Sequence, residues 1–142
     1  MELERRFDVA CPRDTAVEVV AHEDTLVGLF PDSQTEVVEK QGDRITTRSH
    51  YRALGREGEA TFHFDFLMDG NVRFEKVCDG NVWRELRGEV SFDERGTGTR
   101  VAIQMEGRTK ALVPEFTIKG PMQDQIEAMA DALRERLEAA SA

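Results

Sequence analysis

Three side chains in this sequence set a phenol or a cation among large apolar residues: Tyr51, Lys76 and Arg84. A tyrosine hydroxyl beside a lysine or arginine can polarise a carbonyl and transfer a proton. The same groups can simply hold the carboxylate, phosphate or carbonyl head of an apolar ligand. Pairing Cys78 with Val82 across a three-residue turn at Asp79-Gly80-Asn81 sets Lys76 opposite Arg84, with Phe64 opposite Lys76 on the other side. Like charges directly opposite repel, and an unpaired buried ion costs on the order of several kcal/mol. A ligand oxygen would offset that cost. The competing reading is that both side chains snorkel to the sheet end or pair with Glu75, Glu85 or Glu106. A two-residue turn would flip the register and bring Trp83, Glu85 and Arg87 inward instead.

Other reactive residue types offer less. His22, His50 and His63 lack metal-site spacing; His50 and His63, with Asp65, fall on the outward phase of their strands. Cys11 and Cys78 are isolated, which fits reduced, buried thiols better than a disulfide or metal pair. The repeated string Asp-Gly-Asn-Val, at 69–72 and 79–82, suits hairpin turns and carries too few oxygens for calcium. No nucleophile elbow, phosphate loop or dinucleotide fingerprint occurs. The expectation is therefore no metal and no cofactor. Trp83 is expected as a packing residue or an exposed ring rather than a binding platform.

The elements that must position these residues are legible from alternation. Residues 2–11 read as a first strand ended by Pro12. Thr15-x-x-Glu18 has capping-box form for a short helix to about Ala21, and Asp24 can cap a second helix before Pro31. Six strand-like runs follow, at 34–41, 44–53, 59–68, 72–78, 82–92 and 99–109, with turn residues between them, among them 54–58. Pro114 can open a closing helix that Gly120-Pro121 kinks or restarts. Along it Met122, Ile126, Met129, Leu133 and Leu137 recur at helical spacing. The fold class is α+β, in the order βααββββββα. One face collects Ile45, Thr47, Ser49 and Tyr51, then Phe62, Phe64 and Phe66, then Val72, Phe74, Lys76 and Cys78. Val82, Arg84, Leu86, Val90 and Phe92 continue it, with Val101, Ile103 and Met105 beyond; Arg5 joins Tyr51, Lys76 and Arg84 as its polar intruders.

Seven strands make a sheet roughly 30 Å wide, whereas a helix is only about 10–12 Å across. One helix cannot cover that face. The sheet must curl, and the remainder is closed by the short helices, by dimerisation or by a ligand, unless side chains pack it solid. The expected ligand wall is Tyr51, Phe62, Phe64, Phe66, Phe74, Lys76, Arg84, Leu86, Ile103, Met105, Met122, Ile126 and Met129. Were the protein an enzyme, Tyr51 and Arg84 would be its catalytic pair. The chain of 142 residues fits one domain over 1–142. Its net charge of −9 argues against nucleic acid or an anionic membrane surface as the main partner. There is neither a membrane-spanning run nor an apolar leader at the N-terminus, and a cytoplasmic location is expected.

Three stretches give this chain a family resemblance: Phe7-Asp8-Val9-Ala10-Cys11-Pro12 with Val17 and Leu29-Phe30-Pro31; Leu86 to Phe92 with Gly98-Thr99-Arg100-Val101; and Pro114 to Leu137. Together they resemble the START-like helix-grip superfamily, nearest its polyketide cyclase and coenzyme-Q-binding branch. The resemblance implies a curved antiparallel sheet gripping a long C-terminal helix. It also implies a cavity for a hydrophobic molecule of quinone, lipid or polyketide type. Fold alone does not fix activity. The expected role is carrier or sensor; a cyclase/aromatase-like enzyme and an acidic protein-interaction module are the alternatives.

Overall fold

The computed structural model describes residues 1–53 and 56–141. Strand β1 (Glu2–Val9) leads into helices α1 (Arg13–Ala21) and α2 (Glu23–Val27). Strands β2 (Gln34–Gln41), β3 (Arg44–Ala53), β4 (Arg56–Phe66), β5 (Val72–Lys76), β6 (Trp83–Arg95) and β7 (Gly98–Thr109) follow, and helix α3 (Phe116–Ser141) comes last. All seven strands form one antiparallel sheet in the order β1-β7-β6-β5-β4-β3-β2. The element order and the alternation of faces agree with the sequence. The turn expected at 54–58 lies partly outside the described residues, since Leu54 and Gly55 are among those not described.

Local chemistry explains most boundaries, and corrects a few. Gly42 and Gly96 take positive φ in the β2–β3 and β6–β7 turns, and Gly70 does so in the β4–β5 turn. There the Asn71 N–H donates to Asp69 Oδ1 at 2.9 Å, an Asx turn. The second Asp-Gly-Asn behaves otherwise. It sits in a six-residue connection, 77–82, and makes no tight hairpin between β5 and β6. The proposed capping box is absent: α1 begins at Arg13 with Pro12 as its N-cap and no side-chain cap bond. His22, not Asp24, is the N-cap of α2, and Asp24 lies in its first turn. Helix α3 is assigned continuously through Pro121, so Gly120-Pro121 does not divide it. Arg13 ties α1 to the sheet, donating from Nε to the Phe92 carbonyl at 3.0 Å and from Nη2 to that of Asp69.

Helix α3 buries Met122, Ile126, Met129, Leu133 and Leu137 against the concave face. Its backbone comes closest to β1, and approaches α1 and β7 less extensively. The β3–β5 half of the sheet is therefore covered by side chains rather than by helix backbone. Edge strand β2 is mostly exposed and carries a bulge at Val38, between Val37 and Glu39.

Candidate functional site: the concave face and its phenylalanine row

Cross-strand register arranges the concave face in rows. One runs Ile45–Phe64–Phe74–Gly88–Met105–Leu3 from β3 to β1. The next runs Val37–Thr47–Phe62–Lys76 from β2 to β5. Phe62 and Phe64 have ring centroids 6.3 Å apart, and Phe64 and Phe74 are 6.0 Å apart. Gly88 makes this possible, because a Cβ there would lie 2.4 Å from the Phe74 ring and 2.3 Å from the Gln104 carbonyl oxygen. The inward residues of β4 shrink along the strand from Phe64 and Phe62 to Ala60 and Gly58. The Tyr51 ring lies in the space that Gly58 leaves.

Over this row sits a residue that periodicity could not single out. Phe30, in the connection between α2 and β2, stacks on Phe62 with centroids 5.2 Å apart and planes at 30°. It is buried, as are Leu29 beside it and Leu26 in α2. Its only sequence signal was a Leu-Phe-Pro string in a non-periodic segment. Polar groups on the concave face are few. The Ser49 and Thr35 hydroxyls are 2.7 Å apart and satisfy one another. Thr47 is 0% exposed, and its Oγ1 has no hydrogen-bond partner among the described residues.

No protein-family model matches the sequence, and no curated relative matches it either. Solved structures do match its shape. A Thermus thermophilus protein aligns with a TM-score of 0.81 and 20% identity, covering 100% of each chain. The Zhui aromatase/cyclase from Streptomyces sp. R1128 aligns at 0.78 and 18% identity, over 99% of this chain and 93% of that one. A START superfamily protein from Mycobacterium smegmatis aligns at 0.77 and 16% identity, over 97% of each. The chain has the START-like helix-grip fold.

Within this helix-grip fold the expected wall residues divide. Phe62, Phe64, Phe74, Leu86, Ile103, Met105, Met122, Ile126 and Met129 are all buried in one cluster, and Phe66 is half-buried at its margin. Tyr51 shares their face but stands at the rim, 39% exposed. Lys76 is half-buried on the same face, and its Nζ donates to the Val77 carbonyl at 3.2 Å. Arg84 is not part of the wall. It is exposed at a register shift between Trp83 and Glu85, which turns Trp83 inward over Gly107. Val82 is likewise exposed.

The expected opposition of Lys76 and Arg84 also fails. Phe74 meets Gly88 and Glu75 meets Arg87, a pairing two residues away from the one assumed. Phe62, not Phe64, faces Lys76 across β4 and β5. Tyr51 pairs with Gly58 and Lys76 with Phe62, four positions apart on β4, or about 13 Å. Tyr51, Lys76 and Arg84 therefore do not meet as a catalytic group.

The charged groups are mostly paired on the outer face. Arg44 donates to both Asp65 oxygens, at 2.8 and 3.0 Å, and this bond raises the arginine's pKa. The hydrogen bond from Arg100 holds the Asp8 carboxyl below its usual value. His63 Nδ1 lies 2.8 Å from the Thr46 hydroxyl, and His50 lies 3.3 Å from Glu59. A hollow of about 690 Å³ on this face is lined by the charged residues Glu2, Glu4, Arg73, Arg87, Glu89 and Glu106, of which Arg73 pairs with Glu89 and Arg87 with Glu106. A cleft of about 520 Å³ between the α1–α2 junction and the β2–β3 turn reaches Ile45 and Phe66. Cys11 is buried and Cys78 half-buried, both as free thiols. Among the described residues no His, Cys, Asp and Glu cluster is arranged to hold a metal. No described helix is long and apolar enough to cross a membrane.

Proposed function

We propose that this protein binds a hydrophobic small molecule between the β3–β5 half of its sheet and α3, as a carrier or sensor. The observation that carries the reading is the cover over Phe62. The ring stacked there belongs to Phe30, on a connection rather than on a helix or strand. A connection can move aside at lower cost than a packed element, and an apolar guest would take over the same aromatic surface. Met122 and Met129, the flexible members of the α3 stripe, suit an interior that repacks around such a guest. The aromatase/cyclase and START superfamily neighbours support a helix-grip interior that accepts apolar molecules. The separation of Tyr51 from Lys76, and the outward position of Arg84, favour binding over catalysis by those three.

Native mass spectrometry of freshly purified protein, followed by organic extraction, tests this directly. A stoichiometric adduct that disappears on denaturation is expected. Phe30→Ala should cost about 3 kcal/mol or more in the unliganded protein. An added apolar aromatic should then raise the melting temperature of the variant more than that of the wild type. A clean ligand-free mass, with no thermal shift in either protein, would remove the binding reading.

A further inference from the structure

Among the described residues five polar ones are buried: Thr25, Thr46, Thr47, Ser49 and Thr99. Four of them have partners. Thr25 donates to the Val19 carbonyl at 2.6 Å and Thr99 to that of Cys11 at 2.8 Å. Thr46 is bonded to His63 at 2.8 Å, and Ser49 to Thr35 at 2.7 Å. Thr47 is the exception and is fully buried, with 0% exposure. The other such side-chain oxygen among the described residues, Glu23 Oε1, is at least ion-paired with Lys40. A buried hydroxyl without a partner is costly, and folded proteins seldom keep one at a purely structural position.

Its location gives the orphan a use. Thr47 is the direct cross-strand neighbour of Phe62, the residue on which Phe30 stacks. A planar ring that took the place of Phe30 would lie on Phe62, directly across the strand pair from the residue that carries this hydroxyl. Charge in this row comes only from Lys76, two strands away at about 10 Å, with its amine turned to the Val77 carbonyl. An anion at Thr47 would thus be buried without a counter-ion, which is strongly unfavourable. A neutral oxygen would instead satisfy the hydroxyl.

We infer that Thr47 is the selectivity residue of the proposed binding site, choosing apolar ring compounds that carry an uncharged hydroxyl or carbonyl oxygen over their bare hydrocarbon counterparts. This inference rests on the binding reading given above. The threonine is retained at a cost to the unliganded fold, because the ligand completes its hydrogen bond.

The test compares naphthalene with 2-naphthol by calorimetric titration, in the wild type, Thr47→Val and Thr47→Ser. Valine keeps the shape and removes the hydroxyl, whereas serine keeps the hydroxyl. The wild type should prefer 2-naphthol about five- to ten-fold, as one neutral hydrogen bond allows. Thr47→Val should erase that preference, chiefly by weakening 2-naphthol binding, and melt at a higher temperature without ligand. Thr47→Ser should keep the preference. Two results would overturn the inference while leaving the binding reading in place. One is equal wild-type affinity for both compounds; the other is a preference that survives in Thr47→Val. Failure of the wild type to bind either compound, with no adduct by native mass spectrometry, would overturn both.

Discussion

Glycine at 88 is a packing device rather than a turn residue. It lies inside β6, and the Phe74 ring occupies the place of its missing side chain. Gly88→Ala should therefore destabilise the protein by about 3 kcal/mol, since the added methyl meets both a ring and a backbone carbonyl. Chemical denaturation will read the loss; a change below about 0.5 kcal/mol would mean that the ring has room to retreat. Gly107 plays the same part for Trp83. Such glycines were visible in the sequence only as interruptions in strands, and an interruption does not say which ring fills it. Phe30 was still harder to read, because a single aromatic in a connection has no period. Thr47 was placed on the correct face by alternation. That its hydroxyl lacks a partner depends on three-dimensional neighbours, and no pattern in the chain carries that.

Strand phase was legible and strand pairing was not, for a reason that lies in the connections. Alternation has period two, so a register error of two residues leaves every side chain on its proper face while changing every partner. That happened between β4 and β5 and between β5 and β6, where the connections are longer than the turn strings suggested. The loss of phase at Val82 and Arg84 lies at a local irregularity between Trp83 and Glu85, and single-residue insertions of this kind leave no mark on composition. The pairing of β1 with β7 supplies a test by pH. Arg100 donates to both oxygens of Asp8, at 2.9 and 3.3 Å, and lowers the carboxyl's pKa in the folded state. A carboxylate held more acidic in the folded than in the unfolded chain stabilises the fold above its unfolded pKa, about 3.9. That contribution is lost as pH falls through the folded value. Asp8→Asn should therefore lower stability at neutral pH and flatten the curve below about pH 4. An unchanged acid limb would show that this exposed pair contributes nothing.

At the scale of the molecule, the sheet closes its long-range register at one seam. Glu2 pairs with Glu106 and Val9 with Thr99, and α3 packs across the same strand. The meander from β2 to β7, by contrast, joins each strand to its neighbour in sequence. Joining distant segments carries a larger loop-closure cost and is expected late in folding. Val9→Ala should accordingly speed unfolding while leaving the folding rate nearly unchanged. Stopped-flow chevrons will decide: a slowing of the folding limb by the full equilibrium loss would place β1 in the nucleus instead.

The seam also has a consequence for biosynthesis. At roughly 5–20 residues per second, β1 leaves the ribosome about 5 to 20 seconds before the strand it pairs with. For that interval Phe7 and Val9, buried in the finished protein, have neither strand nor helix against them. The charges that alternate with them on β1, Glu4, Arg6 and Asp8, keep an unpartnered strand soluble while it waits.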